Sequence, residues 1–205
     1  MTDTSEGIEL FLEPPYEDTK RLYRDFDRNM AVILEVHAHA GRIPSCKRGC
    51  DACCHQLVLS TVAEARIMAE ALADLPDAKR QRLWTRLEEW RVAATEFRRA
   101  LQQPGEEHLQ DLVETLAEEY WARRIPCPFL VDRACALHDA RPLACRQHHS
   151  LGDPVHCGNG SDAHIEQLEA MEDLFFMAQD LIPEDETEMG IFQELVIHLT
   201  DAKGA

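Results

Sequence analysis

Eight cysteines fall into two groups along the chain. Four lie within nine residues, Cys46-Lys-Arg-Gly-Cys50-Asp-Ala-Cys53-Cys54, with His55 directly after them. Cys127, Cys135, Cys145 and Cys157 lie in a second stretch rich in Pro, Gly, Asp and His. Thiolates are soft, charged donors that suit zinc, iron and iron–sulfur centres. A Cys-x-x-Cys pair such as Cys50 and Cys53 aims two sulfurs at one metal from a tight turn. Adjacent side chains diverge, so Cys53 and Cys54 fit two metals, or two faces of one cluster, better than a single ion. Eight thiols fill two tetrahedral sites, or one larger cluster with thiols to spare. Lys47, Arg48 and nearby backbone N–H groups would offset the charge of clustered thiolates. His55, His138, His148 and His149 lie within or beside the two stretches, and each is read first as a surface or supporting residue rather than a ligand.

Disulfides are the competing use of eight cysteines, and the compartment decides between them. The chain opens Met1-Thr-Asp-Thr-Ser-Glu-Gly-Ile-Glu-Leu, acidic and without the basic start and apolar run of a signal peptide. No stretch approaches the roughly 18–20 apolar residues needed to span a bilayer. A cytoplasmic protein is expected, in a reducing compartment where clustered cysteines bind metal. The formal net charge of −17 repels polyphosphate, which argues against nucleic acid as a partner. With 205 residues, 45% of them hydrophobic, the chain is long enough to bury a core without help from metal.

The elements that must position the cysteines read as helices, so an all-α or mainly α fold is expected. Leu22, Phe26, Met30 and Ile33 mark one face of a helix over Tyr16–Ala38. Thr61-Val-Ala-Glu64 reads as a capping box opening a helix through Ala73, and Pro76 interrupts the chain. Leu83, Leu87, Trp90, Ala94, Phe97 and Leu101 form an amphipathic stripe that Pro104-Gly105 ends. Leu109, Leu112, Leu116 and Tyr120 mark a further helix. Two more are expected over Ile165–Leu181 and Thr187–Thr200, divided by Pro183. The cysteines avoid these stripes, and a small hairpin is expected within Phe129–Leu137. Residues 74–124 contain no cysteine and read as a helical hairpin inserted into a single domain spanning 1–205, between the halves of one metal-binding core.

The pieces Cys50-Asp-Ala-Cys53-Cys54, Cys127-Pro-Phe-Leu130 and Cys135-Ala-Leu-His138-Asp-Ala-Arg141-Pro142-Leu-Ala-Cys145-Arg146 resemble the YkgJ-type cysteine-cluster family. That resemblance covers Cys46 to Cys157 and implies a zinc- or iron-chelating domain, or an iron–sulfur protein, without a defined reaction. Position by position it implies Cys46, Cys50, Cys53, Cys54, Cys127, Cys135, Cys145 and Cys157 as ligands. Three residues separate Cys46 from Cys50 where the family commonly has two, and His138 stands where an aromatic residue is frequent. Arg141-Pro142 reads as a rigid turn that fixes Cys145. Arg141 and Arg146 either serve the sulfurs or an anionic ligand, or form salt bridges.

Three functions compete. The leading expectation is a metal-binding protein holding iron, an iron–sulfur centre or zinc, with a redox or metal-handling role and a slight preference for iron. A second is a structural-zinc module in which the helical insertion binds a partner protein. Lys79, Arg80, Arg82, Arg86, Arg91, Arg98 and Arg99 make that insertion basic, although such a face also pairs with acidic helices such as the one bearing Glu166, Glu169, Glu172 and Asp173. A third is an iron–sulfur enzyme using S-adenosylmethionine, suggested by the spacing of Cys46, Cys50 and Cys53. Such enzymes are built from repeated strand–helix units, of which this sequence shows few.

Overall fold

A computed structural model describes residues 12, 18–101, 109–150, 153, 157, 169–182 and 189–204. The fold is mainly helical. In chain order the described elements are α1 (Thr19–His39), β1 (Leu59–Thr61), α2 (Val62–Ala73), α3 (Asp77–Ala93), α4 (Thr95–Leu101), α5 (Leu109–Ala122), β2 (Leu130–Val131), β3 (Ala134–Cys135), α6 (Leu143–Gln147), α7 (Glu169–Gln179), β4 (Met189–Ile191) and α8 (Phe192–Gly204). No described helix is long and apolar enough to cross a membrane.

Apolar periodicity accounts for most of these elements. Leu22, Phe26, Met30 and Ile33 of α1 are all buried, as their spacing requires. The start of α1 is capped by the Asp18 side chain, which accepts from the Lys20 N–H at 2.9 Å. Gly41, just past its end, takes φ +78°, a conformation that favours glycine. The capping box at α2 forms in full: Thr61 Oγ1 accepts from the Glu64 N–H, and Glu64 Oε2 accepts from the Thr61 N–H at 3.0 Å.

The long stripe from Leu83 onward is buried through Phe97 but runs through two helices rather than one. Thr95 Oγ1 donates to the carbonyls of Arg91 and Val92 and competes with the helix ladder at that point. Trp90 Nε1 donates to the Tyr120 hydroxyl at 2.8 Å, and Phe97 meets the Tyr120 ring edge-on at 5.2 Å. These residues join α1, α2 and α8 in one buried cluster. The expected break at Pro104-Gly105, the first residues expected of the Ile165 helix, and Pro183 lie outside the described residues.

Residues 189–191 differ from expectation. They form a strand, not the first turn of a helix, and pair antiparallel with β1 (Leu59↔Ile191, Thr61↔Met189). Gly190 is a poor helix former, and strand pairing with a distant segment overrides the local periodicity. Both β1 and β4 run straight into helices, α2 and α8, which pack against each other. The second two-stranded sheet is the expected hairpin. Its turn, Asp132-Arg133, has positive φ at both residues (50° and 59°), the type I′ geometry that suits the twist of paired strands.

Candidate metal centre

The first cysteine stretch follows α1 as an extended run and then a turn. The Cys50 N–H donates to the Lys47 carbonyl at 2.8 Å, and Gly49 takes φ +92° within that turn. The turn takes up the third residue between Cys46 and Cys50. Cys53 and Cys54 then lie on a single 3-10 turn, Ala52–His55. Cys46 is held from the other side of the site: its Sγ accepts from the Ser150 N–H at 3.2 Å, while Ser45 donates to the Ser150 carbonyl from both its backbone and its hydroxyl.

The second stretch is fastened directly to the first. The Cys127 N–H donates to the Cys54 carbonyl at 2.7 Å. Arg86, projecting from α3, donates to the carbonyls of Pro128 and Leu130, both at 2.8 Å, and so clasps the turn after Cys127. Cys135 lies on β3, whose hairpin tip reaches back through Arg133 to Asp51 at 3.5 Å. Cys145 lies on α6. The free N–H at the start of that helix, on Leu143, donates to Glu64 Oε1 at 2.7 Å. Glu64, 3% exposed, thus ties the starts of α2 and α6 with one carboxyl group.

These segments enclose a cavity of about 890 Å³ whose lining includes Cys46, Cys50, Cys53, Cys54, Cys127, Cys135 and Cys145. Cys157 is buried but not part of the lining; it lies near enough to Cys46, Cys53 and Cys50 to feel their charge. All eight cysteines are free thiols. Cys53 is the hub, in electrostatic contact with Cys46, Cys135, Cys145 and Cys157 and hydrogen-bonded to Cys54.

The surroundings favour the neutral state of six of these thiols. The bond to Cys54 and then burial raise the Cys53 thiol. Burial pushes Cys127 and Cys145 up to about 12 and Cys157 to about 11, and it raises Cys46 and Cys135. Arg141, in the lining, pulls Cys53, Cys135 and Cys145 the other way. Lys47, Arg48 and Arg133 add positive charge to the same wall.

Arg141 and Arg146 have different roles. Arg146 is 4% exposed and outside the lining. It bonds Asp27 Oδ2 at 2.5 Å and the carbonyls of Arg141 and Asp139, and it covers the Tyr23 ring at 4.1 Å. It therefore forms a salt bridge and fixes the backbone before Cys145, whereas Arg141 is the cation facing the sulfurs. Two arginines of the basic insertion are likewise used inside the fold. Arg86 holds the Cys127 turn, and Arg98 pairs with Glu194 on α8. Glu166 lies outside the described residues.

His138, His148 and His149 line the cavity and His55 does not. Burial and then the neighbouring His149 push His148 down to about 4, and burial also lowers His149. Gln193, at the start of α8, is 1% exposed and donates from Nε2 to Cys127 Sγ at 3.9 Å. No local pattern marks Gln193, Arg86 or Glu64 as part of the site; Glu64 is legible only as a helix cap.

Among the described residues, no group of three or more His, Cys, Asp or Glu side chains already stands at the spacing that grips one ion. Two buried polar atoms of the lining, His148 Nε2 and Gln193 Oε1, have no hydrogen-bond partner among those residues. Seven soft donors around one cavity, with polar atoms left unpaired on its wall, fit a thiolate-bound metal centre. Comparison with family models, curated proteins and solved structures found no match to the chain.

Proposed function

We propose that this chain is a metal-holding protein of the YkgJ-type cysteine-cluster kind, binding iron or an iron–sulfur centre through cysteine thiolates in a redox or metal-handling role in the cytoplasm. The observation that carries this reading is the convergence of seven cysteines, from segments 46–54, 127–135 and 145, on one cavity. A lone tetrahedral zinc needs four donors around a single point. Thiols spread around about 890 Å³, with the diverging Cys53-Cys54 pair among them, suit a multi-metal centre better. An iron–sulfur centre bound there would supply one-electron chemistry. The chain's own groups prepare the site: Arg141 offsets thiolate charge, Gln193 donates to a cysteine sulfur, and apolar residues such as Phe129 and Phe192 wall the cavity.

In the structural-zinc alternative a partner would meet the basic residues left on the surface, such as Lys79, Arg82 and Arg99, because Arg86 and Arg98 turn inward. The S-adenosylmethionine alternative lacks a scaffold among the described residues, which carry two-stranded sheets and no repeated strand–helix array. Purification without oxygen, followed by metal and acid-labile sulfide analysis with a visible spectrum, tests the proposal. Brown protein containing iron and sulfide is expected. Colourless protein with stoichiometric zinc would replace iron by zinc. Protein holding neither metal, with paired cysteines, would overturn the proposal altogether.

A further inference from the structure

The cavity lining holds more than sulfur, and its histidines are not equivalent. His55 places Nδ1 3.2 Å from the Asp51 carbonyl, stands edge-on to Trp121 and is outside the lining. His138 is exposed, with Nδ1 3.4 Å from Asp139 Oδ1. His149 has Nδ1 3.2 Å from the Gln147 carbonyl. Each of these rings places Nδ1 near an acceptor, and none has a ring nitrogen that is both buried and unpaired among the described residues. His148 does: its Nε2 is shielded from solvent and has no hydrogen-bond partner among the described residues. Leaving such an atom unpaired is costly, and folded proteins keep few of them.

The placement of His148 is equally specific. It caps the C-terminal end of α6, three residues after Cys145. It stands just outside that helix in extended backbone, and both it and Cys145 line the cavity. Imidazole nitrogen is a good donor to both iron and zinc. It is also a neutral one. A shell built only of thiolates gathers negative charge in a buried site, and one imidazole in place of one thiolate reduces it.

We infer that His148 is a ligand of the metal centre, presenting Nε2 beside the cysteine sulfurs, so that the donor set is mixed sulfur and nitrogen. The inference rests on the metal-centre reading above. Gln193 Oε1, the second unpaired atom in the lining, belongs to the same picture of a wall shaped around an occupant.

X-ray absorption at the K edge of the metal present, measured on the intact 205-residue chain purified without oxygen, tests this. The expected wild-type signal contains a nitrogen scatterer at about 2.0–2.1 Å with the outer-shell pattern of imidazole, beside sulfur at about 2.3 Å. His148→Ala should lose the nitrogen signal and keep sulfur, while His149→Ala should keep both. His148→Gln serves if the alanine variant fails to fold. A sulfur-only wild-type shell, or an imidazole signal that survives in the His148 variants, would overturn the assignment while leaving the metal centre standing. A preparation with no metal edge would sink both.

Discussion

At the scale of single residues, the site is set by what burial does to a thiol. Cys127 and Cys145 are held neutral up to about 12 and Cys157 to about 11, above the ordinary thiol value near 9. Each of these thiols that takes up metal near neutral pH must therefore release a proton, and apparent affinity rises with pH. Chelator competition at pH 6, 7 and 8 should show tighter metal retention at each step; a flat profile would contradict thiol ligation. The metal-free fold has the opposite trend. Between about 9 and 12 the unfolded chain has lost thiol protons that the folded chain keeps, so stability falls as pH rises through that window. Denaturant midpoints of the apo protein at pH 8 and 10.5 check the sign. Cys53 is the most connected sulfur, so Cys53→Ser should release more metal than Cys157→Ser. Loss of outer partners alone weakens metal sites about 10–100-fold, and loss of a ligand should do at least as much. Equal metal content in the two variants would remove Cys53 from the centre of the cluster.

At the scale of elements, the cysteine stretches are held by groups outside them. Arg86 links α3 to the Cys127 turn with two hydrogen bonds. Arg86→Ala should destabilise the fold by about 1–3 kcal/mol and also weaken metal retention. Arg86→Lys should rescue little, because an ammonium cannot reproduce the guanidinium fork. Thermal melts with and without metal separate the two effects. A variant that melts lower but holds metal normally would limit Arg86 to packing. Much at this scale was legible in the sequence. The Thr61–Glu64 capping box and the hairpin within Phe129–Leu137 follow from local residue types, and both form. β4 was not legible, because its reason is β1, far away in the chain. The same holds for Arg86 and Gln193: a guanidinium on a basic helix and an amide at a helix start carry no local sign of their partners. The cysteines were conspicuous because they avoid the apolar stripes, but their spacing said nothing of the Glu64 carboxyl that places Cys145.

At the scale of the molecule, a buried apolar core lies beside the site. Residues from α1 to α8 form one buried cluster, and Cys127 and Cys135 pack only at its edge. Removing metal with a strong chelator should therefore leave far-ultraviolet circular dichroism nearly unchanged. The thermal midpoint should fall, and protease sensitivity should rise at 46–54 and 127–150. This behaviour differs from that of zinc fingers, which unfold without their ion. Loss of most helical signal on metal removal would show instead that the centre holds the core together.

The cavity walls extend along the chain from Cys46 to Gln193, and the Cys127 N–H to Cys54 carbonyl bond closes it across the four intervening helices α2–α5. A ribosome delivers the chain from its N-terminus at about 5–20 residues per second. The first four cysteines thus wait several seconds as an unfinished half-site while the remaining walls are made. Residues 46–54 on their own offer closely spaced thiols to any passing soft ion. If the thiols hold metal as proposed, faithful loading would require that the correct metal arrive after α8 has docked, or that the half-site be shielded until then.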